Sequence, residues 1–497
     1  MKLRVRTYDV DASEPSVMIH DDDCIVLGVK ENDRVKISGK SVWVSLVDRS
    51  DTVLERGEIL IPNFYMGRYD INEGDEVEVT HSPKPDSVMY IRKKMDNKKL
   101  TKEEIYAIVN DILESKLSKI EVSAWLTSLY INGMDLDEIA NFTNAMVDTG
   151  DRIDFTREPV FDFHSIGGVP GNKVTPIVVS IVAAAGLMLP KTSSRAISSA
   201  CGTSDFVETF CNVELSAEQV KEISERVGGV LAWGGSMNLA PVDDIVIKVE
   251  HPLGINPRAQ MLASIMSKKV AIGANNLLVD IPMGPGTKVP TLEKAREYVR
   301  DFTELGRILG MHIECAITYG DQPVGQAIGP NLEARECIRI LEGEKHPASV
   351  VEKACDLAGI ILEMGGIPDG ATKARDILFS GQAHKKFLEI VEAQGGNPNL
   401  KADDLKPGQY IQEIVSVKSG YVHTIDNKML VSIARAAGAP NDKGAGLLIM
   451  KKKGQRVEKG DVLMYIHSDN EAKGVRAKEM AIRFNPITIE GMLIERA

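Results

Sequence analysis

Between residues 160 and 400, apolar runs alternate with amphipathic helical segments and glycine-rich turns. The runs include PIVVSIVAAAGL, GGVLAWGG, NNLLVDIPMGPG and MHIECAITYG, and GPGTKVPTLEKAREYV predicts a strand, a loop and a helix that begins near Pro290. Such alternation is typical of an α/β domain with a buried, largely parallel sheet. We assign residues 161–240 and about 272–410 to this domain.

In the first 84 residues, polar and apolar residues alternate with the short period of β-strands. Short strands are predicted at VRTYDVDA, CIVLGV, RVKIS, VWVSLVD and EVEVTH. The segment KENDRVKI, which begins at Lys30, is echoed by NEGDEVEV, which begins at Asn72. A turn followed by an alternating strand, repeated in this way, predicts an N-terminal β-barrel-like domain over residues 1–84. We expect this domain to serve assembly or stability, because it contains no catalytic constellation.

Helical periodicity begins at Thr101. The segment TKEE is a capping box, and further helices are predicted over about Ile120–Ile131 and Leu136–Asp148. Residues 85–160 and about 241–271 are assigned to this small helical domain.

The C-terminal segment, residues 411–497, has β periodicity again. VSVKSGYVHTID and KKGQRVEKGDVLMYIHSD resemble the two halves of a barrel-sandwich hybrid, the fold of biotinyl and lipoyl carriers. No exposed lysine lies in a carrier-type hairpin, so a structural α+β domain is predicted.

The chain has 497 residues and a formal net charge of −12, with 5% aromatic residues and no basic cluster. This argues against a nucleic acid as the main partner, although a local pocket can still bind an anionic small molecule. The six cysteines are scattered without a CxxC pair, which fits a reducing cytoplasm better than a zinc site. The N-terminus lacks a signal sequence, and the apolar stretch Ile177–Leu189 is too short to span a membrane. We expect a cytoplasmic protein without a membrane partner.

The stretch FDFHSIGGVPGNKVTP is the first candidate for a phosphate-binding loop. His164, Ser165, Gly167 and Gly168 place backbone N–H groups and a hydroxyl in one bend, and such nests bind anions. A tight turn between a strand and a helix would have the same sequence, so this loop alone does not decide the question.

The second candidate, KTSSRAISSACGTSDFVE, runs from Lys191 to Glu208. Arg195 offers a planar cationic fork that suits phosphate oxygens, and Gly202 permits a close backbone approach. Neutral hydroxyl donors are contributed by Ser193, Ser194, Ser198, Ser199, Thr203 and Ser204. The residues between these hydroxyls are apolar, unlike those of a solvated loop, which favours a phosphate site.

Two further motifs carry lysines. Ser264 and Lys268 are four residues apart and would share one helix face, which is either a ligand site or a solvent-facing pair. Lys288 follows a strand in the glycine-rich turn VDIPMGPGTKVPT.

These motifs together resemble the thymidine and pyrimidine-nucleoside phosphorylases. FHSIGGVPG resembles their Lys-His-Ser-Thr-Gly-Gly loop, SSRAISSACGTSDFVE their Ser-Gly-Arg signature, ASIMSKK their Ala-Ser-Ile-Leu-x-Lys-Lys helix, and MGPGTKVPT and MVDTG two further elements. The resemblance runs in order from about residue 95 to 490 and implies the nucleoside phosphorylase type II fold. The N-terminal β domain and SSRAISSA point to an archaeal branch of this family.

The resemblance implies a pentosyltransferase that cleaves an N-glycosidic bond with inorganic phosphate. In the archaeal branch the substrates would be nucleoside 5′-monophosphates, so that AMP and phosphate give adenine and ribose 1,5-bisphosphate in nucleotide salvage. CMP and UMP remain open as substrates. Phosphate is then a co-substrate, no cofactor or metal is expected, and a homodimer or larger homo-oligomer is implied.

The resemblance also assigns site residues. On the phosphate side it implies His164, Ser165, Gly167, Gly168, Ser193, Ser194, Arg195, Ala196, Ile197, Ser198, Ser199 and Thr203. On the base side it implies Ser264 and Lys268, which would lie on the small helical domain across a cleft that closes to exclude water. Added hydroxyls and Lys288 could hold the 5′-phosphate of a nucleotide.

Several positions depart from the family pattern. Phe163 stands where the nucleoside branch has a lysine, and the longer loop VPGNKVTP adds Lys173. The arginine that reads the pyrimidine carbonyl has no counterpart in VEHP, which argues against thymine or uracil. Asn256 stands where relatives carry the aspartate that is the presumed proton donor, and an amide cannot deliver a proton. His251 is a conceivable substitute.

Three alternatives stay open. A thymidine or pyrimidine-nucleoside phosphorylase is the first. A phosphoribosyltransferase of the anthranilate type would need paired carboxylates for Mg²⁺, for which Asp243 and Asp244 are the adjacent pair. A non-catalytic nucleotide-binding protein is the third, because of Asn256 and the two flanking β domains.

Overall fold

The computed structural model describes residues 1–8, 16–196 and 199–492, apart from the side chain of Phe64. The chain forms two compact units. The first contains Met1–Gly150 and Ala240–Ser267, and the second contains Asp151–Leu239 and Lys268–Ala497.

The helices of eight or more residues and the shorter α1, α2 and α8 follow one another along both units. In chain order they are α1 Asp21–Leu27, α2 Asn63–Tyr69, α3 Ser87–Met95, α4 Lys102–Leu113, α5 Lys119–Asn132, α6 Leu136–Asp148, α7 Thr175–Ala184, α8 Thr203–Val207, α9 Ala217–Val227, α10 Pro241–Leu253, α11 Arg258–Ala271, α12 Leu292–Leu309, α13 Pro330–Leu341, α14 Ala348–Met364, α15 Gly370–Phe379, α16 Gln382–Ala393, α17 Asn427–Ala437 and α18 Glu471–Phe484. The strands are β1 Lys2–Tyr8, β2 Ser16–His20, β3 Arg34–Ser38, β4 Val42–Ser50, β5 Glu58–Pro62, β6 Glu76–Ser82, β7 Phe161–Ser165, β8 Leu189–Ser193, β9 Gly229–Trp233, β10 Asn276–Met283, β11 His312–Tyr319, β12 Ala327–Ile328, β13 Tyr410–Val415, β14 Gly420–Ile425, β15 Gly446–Ile449, β16 Arg456–Val457, β17 Val462–Ser468 and β18 Ile487–Glu490.

The first unit begins with a closed barrel in the order β1-β5-β2-β4-β3-β6, which confirms the predicted N-terminal β domain. The two echoed segments become β3 and β6, which pair antiparallel. The strand predicted at CIVLGV is wrong, because this segment is the end of α1. His20 caps that helix, three aspartates occupy its first turn and Gly28 ends it in the left-handed conformation, so local capping overrides the apolar pattern.

A buried arginine links this barrel to the helices of the same unit. Arg34 on β3 is 2% exposed, its Nε donates to Lys116 O at 2.7 Å, and its Nη2 contacts the carboxylate of Glu121. The replacement Arg34→Met leaves that carboxylate without its cation and should destabilise the unit by about 3–5 kcal/mol. Thermal unfolding followed by circular dichroism measures this loss. Lys2→Met, which breaks the exposed pair with Glu76, is the control and should leave the melting temperature unchanged.

The predicted helical domain is present, and α4, α5 and α6 each begin with a capping box. Trp125 on α5 and Phe142 on α6 meet edge to face in the core, with ring centroids 5.8 Å apart. Helix α3 was not predicted, and it is held by a buried ion pair between Lys94 and Glu138. Helix α10 packs on α4 and α5.

The second unit contains the predicted parallel sheet. Strands β11, β10 and β7 pair in parallel, as do β8 and β9. A parallel bridge between Val160 and Met188 joins the two groups. The run PIVVSIVAAAGL forms helix α7 and not a strand. Its residues are buried all round because α14 and α16 pack against it, and an apolar run has no period that would distinguish helix from strand.

The strands of the C-terminal segment form two sheets together with α17 and α18. Their orders are β12-β15-β17-β13, in which β12 is an edge strand from the α/β region, and β16-β14-β18. Their shared core confirms the predicted α+β architecture. Across the described ranges, no helix is long and apolar enough to cross a membrane.

Candidate active site

Three sequence motifs follow three strands of the parallel sheet. The first loop leaves β7 after Ser165, the signature loop leaves β8 after Ser193, and the third glycine-rich loop leaves β10 after Met283. Since parallel strands present their carboxyl ends at one edge, these loops belong to one edge of the sheet, where α/β proteins bind ligands.

The first loop needs its glycines. Gly167 and Gly168 have φ values of 81° and 94°, in the left-handed region that other residues avoid. A Cβ on Gly168 would lie 2.8 Å from the backbone nitrogen of Lys288, so glycine allows the first and third loops to touch. This contact brings the backbone of Lys288 next to the first loop.

Asn172 is a site candidate that the sequence analysis missed. Its Nδ2 donates to Ser165 Oγ at 3.0 Å and lies 3.4 Å from Asp280 Oδ2. Its Oδ1 is buried and has no hydrogen-bond partner among the described residues. A buried acceptor without a donor is costly, so the arrangement suits a ligand that brings a hydroxyl.

Asp280 supports this loop from β10. It is fully buried, accepts from Thr318 Oγ1 at 2.5 Å and pairs with Lys353 Nζ at 2.8 Å. By contrast, Lys173, which the longer loop adds, has a buried structural role. Its Nζ donates to Val324 O at 2.9 Å and to Glu336 Oε2 at 2.5 Å.

Below the first loop, two buried lysines share one carboxylate. Lys269 Nζ lies 2.7 Å from Asp162 Oδ2, and Lys191 Nζ lies 3.7 Å from Asp162 Oδ1. All three side chains are at most 4% exposed. Burial, with the neighbouring charge of Lys269, lowers the pKa of Lys191 to about 7. We name these three residues the lysine cluster.

The lysine cluster is part of a wider positive environment around His164. Burial and the charges of Lys269, Lys191, Lys288 and Lys268 hold the pKa of His164 well below its usual 6.5. His164 is therefore neutral at neutral pH and can act as a hydrogen-bond donor without adding charge. Positive charge near a neutral imidazole suits an anionic ligand.

The signature loop is held by Asp205 at the start of α8. Its Oδ2 accepts from the backbone nitrogens of Ala196 and Gly202, both at 2.7 Å. Ser193 Oγ lies 2.9 Å from Ser204 Oγ, while Thr203 begins α8. Ser194 and Ser199 are exposed. Ile197 and Ser198 lie outside the described residues.

Arg195 is placed differently from the expectation of a fork aimed at phosphate. Its Nη2 lies 2.7 Å from Glu208 Oε2 and 2.9 Å from Glu214 Oε1, and the guanidinium stacks 4.4 Å from the centroid of Trp233. Its Nε is buried without a partner among the residues that the structure describes. The two carboxylates neutralise the charge of Arg195, so in this arrangement its side chain stabilises the loop.

The first unit holds three of the predicted residues. Ser264 Oγ on α11 donates to Asp243 Oδ2 at 2.8 Å, and Gln260 Nε2 donates to Asp243 Oδ1 at 3.0 Å. Since its proton is used, the Ser264 hydroxyl can offer a ligand only its lone pairs. Asn256 is exposed just before α11, with Nδ2 4.0 Å from Met261 Sδ. His251 is exposed on α10.

The carboxylates that a Mg²⁺-dependent transferase would need are not paired. Asp243 is fully buried with both oxygens hydrogen-bonded, whereas Asp244 is exposed. Among the residues with described positions, no group of three or more His, Cys, Asp or Glu side chains could hold a metal ion.

Asp162, Lys191 and Lys269 were not predicted as functional residues from the sequence. The signal available for Lys191 was a charged residue inside an apolar strand, LPKTS, which is rarely tolerated without a role.

Family models match most of the chain after the barrel. The helical bundle domain of a glycosyl transferase family matches residues 88–150, and the a/b domain of that family matches residues 157–384. A pyrimidine nucleoside phosphorylase C-terminal domain matches residues 421–487.

Curated relatives match over the whole length. AMP phosphorylase from Methanosarcina mazei is 47% identical, with 100% of this chain and 98% of the relative covered. AMP phosphorylase from Thermococcus kodakarensis is 50% identical, with 100% and 99% covered. AMP phosphorylase 1 from Archaeoglobus fulgidus is 48% identical, with 97% and 96% covered.

A solved structure shares the fold. The crystal structure of anthranilate phosphoribosyltransferase from Thermus thermophilus matches with a TM-score of 0.52 and 20% identity, covering 62% of this chain and 99% of that chain. At this identity the likeness shows the fold alone.

Proposed function

This chain belongs to the AMP phosphorylase family, and from this premise we propose that it transfers the ribose 5-phosphate group of AMP to inorganic phosphate. The C1′–N bond to adenine breaks, a phosphate oxygen bonds to C1′, and the base leaves with a proton. The products are adenine and ribose 1,5-bisphosphate. The observation that carries the proposal is the pair of buried lysines, Lys191 and Lys269, that share Asp162 below the loops of the sheet edge.

In this proposal the lysine cluster binds inorganic phosphate. Below a pH of about 7, Lys191 and Lys269 carry two positive charges against the single charge of Asp162, and an uncompensated buried charge is costly. A phosphate dianion offsets that excess. Lys191 then supplies, from the neighbouring strand, the cation that the family loop has at the position of Phe163. Positioning and charge stabilisation account for most of the rate in such a site.

The hydroxyls and amides complete the phosphate site. The first loop contributes Ser165 and the backbone of Gly167 and Gly168, and the signature loop contributes Ser193 and Thr203. Asn172 Oδ1 accepts a hydrogen bond from a hydroxyl of the ribose or of the phosphate, which satisfies its unpaired lone pairs.

On the base side, Ser264 Oγ accepts a hydrogen bond from an amino group of the base, because the Ser264 O–H already donates to Asp243. Adenine and cytosine carry such an amino group, and uracil has an N3–H donor instead, so this contact does not by itself discriminate among AMP, CMP and UMP. Lys268 lies on the same helix and assists at the base.

Lys288, with Ser198 and Ser199 of the signature loop, binds the 5′-phosphate of the nucleotide. Lys288→Ala should raise KM for AMP about 10-fold or more, since an ionic hydrogen bond to phosphate is lost, while KM for inorganic phosphate changes less. The double replacement Ser198/Ser199→Ala should act in the same direction. Initial rates with each substrate varied in turn measure both constants. Equal increases in the two constants would refute this assignment.

Coupled adenine release and ³¹P spectroscopy test the proposed reaction. AMP and phosphate should give adenine and a new sugar bisphosphate resonance in equal amounts, and omission of phosphate should abolish both. Adenine release without phosphate would identify a hydrolase instead.

The remaining expectations belong to this proposal as well. The protein acts in nucleotide salvage in an archaeal cytoplasm and forms a homodimer or larger homo-oligomer. Inorganic phosphate is a co-substrate and no metal or cofactor takes part. Sedimentation of the purified chain measures the oligomeric state.

A further inference from the structure

Helix α17 and the segment after it contact the signature loop and the end of α8. Arg435, in the last turn of α17, donates from Nη1 to Ser199 O at 2.9 Å. Lys443 contacts the carboxylate of Glu208, the residue that also holds Arg195. The position of the loop that we assign to phosphate binding therefore depends on what happens at α17.

A cavity of about 310 Å³ lies behind this loop. It is bounded by Ala196 on the loop side, by residues 438–441 after α17 and by three basic side chains: Arg435 on α17, and Lys473 and Arg476 on α18. Among the described residues, no acidic side chain lines it. Its volume is at the lower end of the range for small-molecule sites.

The three basic side chains differ in their partners. Lys473 Nζ pairs with Asp442 Oδ2 at 2.6 Å, and Arg435 is held by the backbone of Ser199. Arg476 is exposed and forms no ion pair with any residue in the described parts of the chain. Three cations beside one carboxylate give a local positive charge on a protein whose net charge is −12. These like charges repel one another unless an anion binds between them.

We infer that this cavity binds a phosphoryl group, either as free phosphate or as a phosphate ester such as AMP, separately from the lysine cluster. Arg476 offers the unpaired fork, which binds phosphate oxygens in a bidentate manner. An anion there also contacts the wall formed by Ala196 and draws α18 toward the loop. The site is thus suited to an effector that changes the affinity of the signature loop for its own phosphate.

Calorimetric titration of the full-length chain tests this inference without depending on turnover. The probes are inorganic phosphate and, in a second series without phosphate, AMP. For phosphate we expect two sites per chain. Arg476→Glu should weaken binding at one site at least 10-fold, and Lys191→Met should remove the other. Loss of the Arg476-dependent site in only one series identifies free phosphate or the ester as its ligand.

Arg483→Glu is the matched control, because it makes the same charge change on the exposed side of the same helix without lining the cavity. It should retain both phosphate sites. If Arg476→Glu binds both probes with unchanged stoichiometry and affinity, the inference is wrong. Should that variant melt earlier than the parent, Arg476→Gln replaces it in the titrations. A single phosphate site that Lys191→Met removes would also overturn the inference while leaving the proposed reaction intact.

Discussion

Replacement of Asn256 by aspartate is expected to raise the rate of adenine release from AMP by about 10²–10⁴-fold. The departing base must receive a proton, and in the phosphorylases that this chain resembles an aspartate at this position is the presumed donor. The amide of Asn256 can donate a hydrogen bond to the base but cannot transfer a proton. The residue is exposed before α11, so the added charge causes little desolvation. Single-turnover rates at saturating AMP and phosphate measure the effect.

Two variants serve as controls for this prediction. Asn256→Ala removes the amide and should lower the rate below that of the parent, since the hydrogen bond is lost. His251→Gln should leave the rate unchanged, because His251 is exposed on α10 and is not assigned a role. An unchanged rate in Asn256→Asp, with a large loss in His251→Gln, would assign the proton donor to the histidine instead.

Lys191→Met is expected to lower kcat/KM for phosphate by about 10²–10³-fold, the usual cost of removing one preorganised donor from a developing charge. The fold should tolerate this change, because Asp162 keeps its contact with Lys269 at 2.7 Å. Lys452→Met is the matched control. It removes a half-buried lysine, whose pKa burial lowers to about 8, but Lys452 donates to the backbone carbonyls of Pro323 and Gly325. Its kcat/KM should be near that of the parent.

Because Lys191 titrates near neutral pH, we expect KM for phosphate to depend on pH. Burial and Lys269 lower the pKa of Lys191 to about 7, so its charge in the free enzyme is present below that pH and is lost above it. KM for phosphate should therefore rise as the pH increases beyond about 7. Inorganic phosphate also titrates near neutral pH, but equally for every variant. The difference between the profiles of the parent and of Lys191→Met isolates the lysine, and coincident profile shapes would contradict its role.

Much of the fold could be predicted from the sequence because local rules and burial agree there. The capping boxes before α4, α5 and α6 specify where those helices begin, and the echoed segments become paired strands of the barrel. Prediction failed at CIVLGV and PIVVSIVAAAGL. Both are apolar without a period, and in such runs capping and tertiary packing decide between helix and strand.

Residues of the candidate site could be predicted from the sequence only where they belong to a recognisable motif. Glycines and hydroxyls near Gly168 and Thr203 have a recognisable spacing. The lysine cluster has none, because Asp162, Lys191 and Lys269 are brought together by two strands and a helix that are far apart in the chain. The opposite case is Arg195, where the motif suggested a phosphate contact and the side chain instead meets Glu208 and Glu214.

Base release from a panel of substrates tests the central claim most directly. The parent chain and Asn256→Asp would be incubated with phosphate and AMP, CMP, UMP, adenosine or thymidine, and the free base quantified by chromatography. The account predicts phosphate-dependent release from nucleotides, foremost AMP, with little from adenosine and none from thymidine. Release from thymidine but not from AMP would contradict it, because the assignment of Lys288 to a second phosphate would then have no ligand.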